Sequence, residues 1–410
     1  MRKLLGVTLG IMTALGGFVD FGQIVFTMQA GALFNYRLIW TILLGTIAII
    51  VYMEMCGRVA VVAKEPVFAV VRDRLGARWG LIVLIASNLL NLITCAAELG
   101  GIAILLQLLT GWPDKVALLV GSVILAGAVA ILRFDWIERI FGLSGLLMIV
   151  FAVTAVSLHP DWHALARGCF PAGAPSGPRQ GLLYYYFAVG IFSAMLMEYE
   201  VHFYSSGALE EDWTPRDLTE NFAVASFGSI LGAVLTVALL VAGALVFLPR
   251  GIYPELLSTT TIAGALPFGK KSLFVAIVGS LACLGGAAIE TALSGGYNFC
   301  QFYNLPWGKN LPFKKARIFS LSWVAMFGIG LLLSLGVRPL QLVNISVVLG
   351  MALMPFTYYP ILRVAMDKNI MGKHVNRRAD TALGAAILVL IVVAAAAAIP
   401  LMIVTGSGTP

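Results

Sequence analysis

The chain has 410 residues, of which 60% are hydrophobic and 11% are charged, and its formal net charge is +7. A water-soluble domain carries about 25% charged residues, so this composition excludes a soluble enzyme or binding module and indicates a multi-span membrane protein. The apolar runs are long and continuous rather than alternating, which excludes an outer-membrane barrel. The positive charge is typical of basic cytoplasmic loops, so no nucleic-acid partner is expected.

The apolar segments predict an all-α protein with about eleven spans, each close to the ~20 residues that cross a bilayer. We interpret the first segment as a helix rather than a signal peptide, because it contains Asp20 and no small-residue cleavage site. A cytoplasmic N-terminus keeps most of the 27 Lys and Arg residues inside, which predicts an outside C-terminus in the inner membrane. The predicted spans cover roughly 4–34, 38–57, 79–110, 115–132, 137–158, 181–207, 221–248, 272–300, 316–336, 340–366 and 381–405.

Two of these spans carry glycine or charge at their centres. The first contains Gly16, Gly17 and Gly22 around Asp20, and the sixth contains the polar stretch 195–202. They stand at corresponding positions in two groups of five spans, and such a pair of interrupted segments points to a transporter's binding site. The spacing therefore predicts two inverted five-helix repeats and an additional helix. We assign these to residues 1–160, 181–366 and 381–405.

Asp20 is the first candidate ligand. A charge at bilayer depth costs ~2.5–3.5 kcal/mol, so such residues usually line a pathway or a ligand site. A broken helix exposes backbone carbonyls, which are tolerated only where they line a cavity. Together with the Asp20 carboxylate and the Gln23 amide oxygen they form a hard-oxygen set that suits a cation. The alternative is that Asp20 forms a structural ion pair or caps the half-helix after Gly22.

Met197, Glu198, Glu200 and His202 compete for roles in the sixth span. On an intact helix Glu198 and His202 share one face and Glu200 points away, whereas unwinding would allow any of them to face the cavity. A Met197 thioether would favour a transition metal over Mg or Ca. The alternative for Met197 is plain packing.

Other acidic residues also lie within predicted spans. Glu98 and Asn91 are seven apart in the third span, hence on one face, and are candidates for a proton or ion relay. Glu290 in the eighth span is a further candidate, and each carboxylate would otherwise pair with a buried Arg or a backbone group. The chain has no GxxxxGK[ST], no HExxH and no Ser/His/Asp set, so we expect no nucleotide, no cofactor and no enzymatic activity.

Several stretches match one known family in chain order. Residues 20–23 stand at an Asp-Pro-Gly-Asn motif, and 29–32 repeat a Gln-Ala-Gly-Ala motif. Residues 197–206 stand at Met-Pro-His-Asn-Leu-Tyr-Leu-His-Ser-Ser, and similarity continues at 97–103 and 136–139. On these stretches the chain resembles the natural resistance-associated macrophage protein (NRAMP) family. The resemblance implies the LeuT-type fold, with two inverted five-helix repeats plus an eleventh helix, and secondary transport of divalent metal ions, commonly Mn or Fe with protons.

The resemblance also implies roles for individual residues. Asp20, Gln23, the Ala194 carbonyl and Met197 match the metal ligands, and Glu98 matches an acid linked to proton movement.

Departures from the family pattern surround these positions. Phe21 and Glu198 replace prolines, and Tyr199 and Tyr204 replace two histidines associated with proton transfer. In these departures the chain resembles divergent branches of the family, and those branches include magnesium transporters without proton coupling.

We therefore predict a secondary active or facilitative transporter of a divalent cation, Mn/Fe-like or Mg, that works by alternating access. The ion, with protons as the implied coupling partner, would bind between the unwound first and sixth spans. One alternative is a carrier of an organic amine or amino-acid-like solute bound by Glu198 and Glu200, and another is a membrane sensor or enzyme. The predicted metal-binding residues are Asp20, Gln23, Ala194, Met197 and Glu198, and the predicted coupling or relay residues are Glu98, Glu200, His202 and Glu290.

Overall fold

The structure, a computed structural model, describes residues 19–171 and 173–408. Every regular element among these residues is a helix, which confirms the all-α prediction. Ten helices in the described part are long and apolar enough to cross a membrane, and the shorter apolar helix Phe21–Phe34 precedes them. The predicted glycine interruption at Gly16 and Gly17 lies outside the described residues.

The helices follow the predicted order along the chain, with the sixth span divided into two. They are α1 (Phe21–Phe34), α2 (Ile39–Ala63), α3 (Val67–Thr110), α4 (Asp114–Ile131), α5 (Phe134–Ser157), α6 (Trp162–Gly168), α7 (Pro178–Ala194), α8 (Glu198–Glu210), α9 (Leu218–Val246), α10 (Leu257–Ala263), α11 (Lys270–Phe302), α12 (Arg317–Gly336), α13 (Pro339–Ala365), α14 (Lys368–Met371) and α15 (Arg378–Thr405).

Glycine marks both the interruption and the end of α3. Gly76 has φ 79° and ψ 160°, a conformation that residues with a Cβ rarely adopt, so it breaks the helix near the predicted start of the third span. Gly111 ends α3 in the left-handed conformation, and its N–H donates to the carbonyl of Gln107. Pro113 then precedes α4, where its missing N–H is not needed.

Helix α1 lies at the centre of the protein and is buried along nearly its whole length. Its backbone touches that of α9, because a Cβ at Gly31 would lie 2.1 Å from the Leu240 carbonyl oxygen. On α9, a Cβ at Gly243 would lie 2.4 Å from the Met28 carbonyl oxygen. Small residues allow such close helix contact inside a membrane protein. This contact holds the C-terminal half of α1 against α9.

The peripheral helices carry the lipid-compatible surface. In the most apolar 18-residue segment of α12 and in that of α15, only 22% of the segment is buried inside the protein. Both helices therefore direct most of their apolar side chains outward. Helix α15 packs on α13 and α7 at the edge of the bundle, as expected for an additional eleventh helix. The division of the chain into two repeats stays a prediction.

Candidate functional site

The sixth span is interrupted where the sequence predicts. Helix α7 ends at Ala194 and α8 begins at Glu198, so residues 195–197 form a non-helical break. Met197 is extended, with φ −60° and ψ 123°, and it precedes the first turn of α8. Glu198 and Glu200 occupy that first turn, where carboxylates favour the positive end of a helix. The acidic residues of the local sequence thus agree with a helix that begins at Glu198, inside the predicted sixth span.

Asp20 stands at the start of α1 and faces this break. Its Oδ1 accepts the backbone N–H of Gln23 at 2.7 Å, so one oxygen caps α1. Its Oδ2 accepts the hydroxyl of Tyr199 at 3.3 Å, which joins α1 to the first turn of α8. Asp20 is only 4% exposed. The capping role considered from the sequence is therefore present, and it leaves the carboxylate beside the sixth-span break.

Glu98 holds the start of α1 from a third helix. Both of its oxygens accept the backbone N–H of Phe21, at 3.3 and 3.2 Å. The Asn91 side chain, its predicted partner on the same face of α3, has no hydrogen-bond partner among the described residues. Glu98 therefore contacts the start of α1 rather than a relay partner on its own helix.

Gln23 presents an unused amide oxygen at the same place. Its Nε2 donates to the Met195 sulphur at 3.5 Å, which connects α1 with the break. Its Oε1 is buried and has no hydrogen-bond partner in the described part of the chain. A buried acceptor without a donor is rare in folded proteins. Such an oxygen is suited to bind a cation.

Ala194 and Met197 flank the break against α13. The last carbonyls of a helix have no intrahelical partner, which applies to the end of α7 at Ala194. Ser193 donates to the Val347 carbonyl at 2.6 Å and so holds this end of α7 against α13. A Cβ at Gly350 would lie 3.6 Å from the Met197 sulphur, so the thioether is enclosed by α13.

Glu198 is directed to α13, not to α1. Its Oε2 accepts the hydroxyl of Thr357 at 3.3 Å, and its Oε1 has no hydrogen-bond partner among the described residues. No hydrogen bond in the described part of the chain joins Glu198 to Asp20 or Gln23. The predicted ligands therefore do not all meet at one point. Asp20 contacts α8 at Tyr199, whereas the Glu198 carboxylate contacts Thr357 on α13.

The predicted coupling residues Glu200, His202 and Glu290 are all buried, and their side chains have no hydrogen-bond partner within the described ranges. His202 instead packs edge-on against Phe68, with the ring centres 5.0 Å apart. Glu200 and His202 lie on α8 and Glu290 lies on α11, and none of the three has a hydrogen bond to Asp20 in the described structure.

The described residues contain no group of three or more His, Cys, Asp or Glu side chains that could hold a metal ion. A site with one carboxylate, one amide oxygen, one backbone carbonyl and one thioether would not form such a group. Asp20, Gln23, Ala194 and Met197 supply these four ligand types. Their chemistry suits a divalent metal ion of intermediate softness.

Sequence reasoning missed two contacts of this site. Tyr199 was noted only as a replacement for histidine, yet its hydroxyl bonds the Asp20 carboxylate. Thr357 was not singled out, although it is a polar residue between Pro355 and Pro360 in an apolar helix. The two prolines of α13 are the signal that would have drawn attention to this segment.

Comparison with known proteins identifies the family of this chain. A family model described as natural resistance-associated macrophage protein-like matches residues 10–400. The divalent metal cation transporter MntH of Levilactobacillus brevis is 26% identical over 399 residues, covering 92% of this chain and 84% of the relative. MntH of Pediococcus pentosaceus is 28% identical over 393 residues, covering 90% and 85%.

Solved structures show the same fold. A manganese transporter from Eremococcus coleocola, crystallised with an aromatic bis-isothiourea compound, superposes with a TM-score of 0.78 at 20% identity, covering 99% of this chain and 87% of that one. Mhp1, a nucleobase-cation-symport-1 family transporter, gives 0.57 at 15% identity, covering 99% and 93%. These likenesses confirm the predicted LeuT-type fold.

Proposed function

The chain belongs to the natural resistance-associated macrophage protein family, and from this premise we propose that it is a secondary transporter of a divalent metal cation. Ten apolar helices in the described residues make it a multi-pass membrane protein. Its curated relatives are transporters, in agreement with the expectation that it is not an enzyme. We place it in the cytoplasmic membrane with the N-terminus inside, as the distribution of Lys and Arg predicts.

The observation that carries this proposal is the meeting of Asp20 and Gln23 with the break at residues 195–197. Gln23 contributes a buried amide oxygen without a partner in the described structure, and Asp20 contributes a carboxylate beside it. We assign the Ala194 carbonyl and the Met197 thioether as the remaining protein ligands. Broken helices at corresponding positions of two repeats are where transporters of this architecture bind their ions.

The position of Glu198 favours a Mn- or Fe-like ion over Mg. A Mg site would need additional hard oxygen ligands, and Glu198 would supply one only after leaving Thr357. With Glu198 on the Thr357 side, the proposed site contains one carboxylate and one thioether, and thioether ligands favour transition metals. Magnesium is the alternative substrate, and it requires Glu198 as a ligand.

We propose that transport proceeds by alternating access, with α1 moving at its start beside Asp20 and the α7–α8 segment moving at the break at residues 195–197. Glu98, Glu200, His202 and Glu290 are the candidates for coupling this movement to a second ion. Tyr199 occupies the position beside Asp20 where the family pattern has a histidine, so proton coupling is a separate question from metal transport.

Flux into sealed proteoliposomes tests this proposal. Mn and Mg uptake are measured with and without a pH gradient, while an internal dye reports proton entry. The wild-type protein is compared with Asp20→Ala and Glu198→Ala, each checked for a monodisperse size-exclusion profile. We expect Mn uptake that is lost in Asp20→Ala and retained in Glu198→Ala.

Other outcomes separate the alternatives. Mg uptake that is lost in Glu198→Ala would assign Glu198 to a magnesium site. Unchanged uptake by Asp20→Ala would refute the assigned site. Absence of flux for both metals, with thermal stabilisation by an organic amine, would instead support the organic-solute carrier.

A further inference from the structure

A groove of about 500 Å³ lies at the edge of the helix bundle, on the face predicted to be cytoplasmic. It is bordered by the end of α2, the starts of α9 and α15, and the loop 372–377 that precedes α15. Its volume is in the range of pockets that hold small molecules. None of the proposed metal ligands is among the described residues that line it, so the proposed function gives the groove no role.

The lining of this groove is apolar at one end and polar at the other. Ile50, Phe222 and Leu383 lie within predicted membrane spans, and Phe222 and Leu383 are 58% and 44% exposed. The loop 372–377 lies between two predicted spans and supplies the polar end. Ile50 precedes Arg58 on α2 by roughly 12 Å along the helix axis. The groove therefore extends from the membrane–water boundary into the apolar layer.

Arg58 holds the loop in place from α2. It donates to both carboxylate oxygens of Glu54, at 2.7 and 2.9 Å, so these two charges compensate each other. It also donates to the His374 carbonyl and to Asn376 Oδ1, each at 2.7 Å. The backbone N–H of Asn376 in turn donates to the Ala365 carbonyl at 2.9 Å. These bonds fix the loop beside the groove and engage Arg58 within the protein.

Lys373 and Arg377 are the other two side chains in the lining with a full positive charge. Both are exposed, and neither forms an ion pair with a described residue. Asp380, the second acid of the lining, accepts the backbone N–H of Arg377 at 3.1 Å and so caps the start of α15. The polar end of the groove therefore offers two basic side chains to a ligand, next to an apolar wall.

We propose that this groove binds one anionic phospholipid, with its phosphate between Lys373 and Arg377 and an acyl chain along Ile50, Phe222 and Leu383. The cytoplasmic leaflet carries a negative surface potential, and basic pockets between helices on that side bind acidic headgroups. A second copy of the chain fits less well, because a two-fold contact would bring the same basic side chains together.

A lipid in this position would join three helices. The lining includes residues of α2, α9 and α15, and α15 is a peripheral helix with little of its apolar surface buried. A bound lipid covers part of that surface and stabilises the folded protein to the extent that it binds the folded form. The inference is independent of the transported ion, so it can be tested without transport.

Native mass spectrometry of the full-length protein in a neutral detergent provides the test. The protein is titrated with phosphatidylglycerol and, in parallel, with phosphatidylcholine that has the same acyl chains. We expect one phosphatidylglycerol to bind more tightly than phosphatidylcholine and to raise the unfolding temperature. The double variant Lys373→Gln/Arg377→Gln should bind phosphatidylglycerol about tenfold or more weakly, with little change for phosphatidylcholine.

A second variant tests the apolar end of the groove. Phe222→Ala removes part of the wall without changing any charge, so it should weaken phosphatidylglycerol binding by about threefold or more. Inorganic phosphate is the probe for a headgroup site alone, and we expect it to give no comparable thermal stabilisation. If inorganic phosphate stabilises the protein as much as the lipid does, or if Phe222→Ala binds the lipid like the wild type, the lipid assignment is wrong.

Lys115→Gln/Lys270→Gln is the matched control for the loss of two charges. Both lysines are exposed at the starts of α4 and α11, on the face predicted to be opposite. This variant should bind phosphatidylglycerol like the wild type. Equal losses in the two double variants, or equal affinity of the wild type for both lipids, would show general charge attraction and overturn the proposal. A dimer that dissociates when phosphatidylglycerol is added would assign the groove to a second copy and would also overturn it.

Discussion

Glu98 on α3 accepts the backbone N–H of Phe21, the first residue of α1, through both of its carboxylate oxygens at 3.3 and 3.2 Å. The first N–H groups of a helix have no intrahelical acceptor, and the helix end is partly positive. A carboxylate from another helix therefore satisfies a buried donor and places Asp20 beside α3. The residue that the resemblance links to proton movement also has a structural role.

This contact predicts a graded response at Glu98. Glu98→Ala leaves the Phe21 N–H without an acceptor inside the protein, which should lower the free energy of unfolding by about 1–3 kcal/mol. Glu98→Gln retains one oxygen acceptor and should lose less. Thermal unfolding in detergent ranks the two variants. Equal stability of Glu98→Ala and wild type would show that the contact is not needed to hold α1.

Tyr199 is predicted to restrain Asp20 in the ion-free protein. Its hydroxyl bonds Asp20 Oδ2 at 3.3 Å, so a bound ion competes with this hydrogen bond for the same oxygen. Removing a bond worth about 0.5–1.5 kcal/mol in Tyr199→Phe should therefore raise Mn affinity roughly two- to tenfold. Isothermal titration calorimetry measures this change.

Tyr204→Phe is the matched control for Tyr199→Phe. Tyr204 bonds the backbone carbonyl and the side chain of Asn221 at 3.1 and 3.0 Å and has no bond to Asp20. Its loss should lower stability and leave Mn affinity unchanged. Equal affinity changes in both variants would refute the proposed competition at Asp20.

Met197 is predicted to set the preference for Mn over Mg. Met197→Leu preserves the apolar volume but removes the thioether, so Mn affinity should fall by about tenfold while Mg affinity stays nearly constant. Met148→Leu is the control, because the buried Met148 sulphur accepts from Ser280 and touches no proposed ligand. Competitive uptake of the two metals measures the ratio. Parallel losses for Mn and Mg in Met197→Leu would assign Met197 to packing alone.

Gly31 is predicted to be indispensable for the packing of α1. A Cβ there would lie 2.1 Å from a backbone carbonyl oxygen and 2.8 Å from the Ala244 nitrogen, and backbone atoms cannot turn aside. Gly31→Ala should cost about 3 kcal/mol or more and reduce the yield of monodisperse protein. Gly127→Ala on α4, where no atom lies within 4 Å of the added carbon, should be tolerated. Fluorescence-detected size exclusion compares them directly.

The sequence by itself determined the class of protein, the approximate positions of the spans and the location of the break in the sixth span. Long apolar runs are local features that a bilayer requires, and a charge or glycine group within one of them is visible without a structure. For that reason Asp20 and the polar stretch 195–202 stand out in the sequence, whereas the bounds of the break, residues 195–197, come from the structure. Helix α3 illustrates the limit, since its segment before Gly76 was not assigned to the third span.

Only the tertiary structure decided which way the buried polar groups face. Central membrane helices are apolar on all sides, so the usual alternation of polar and apolar faces gives no direction. Glu198 bonds Thr357, 159 residues away, and Glu98 bonds Phe21, 77 residues away. Their orientations follow from helix packing between distant parts of the chain, which no local pattern contains.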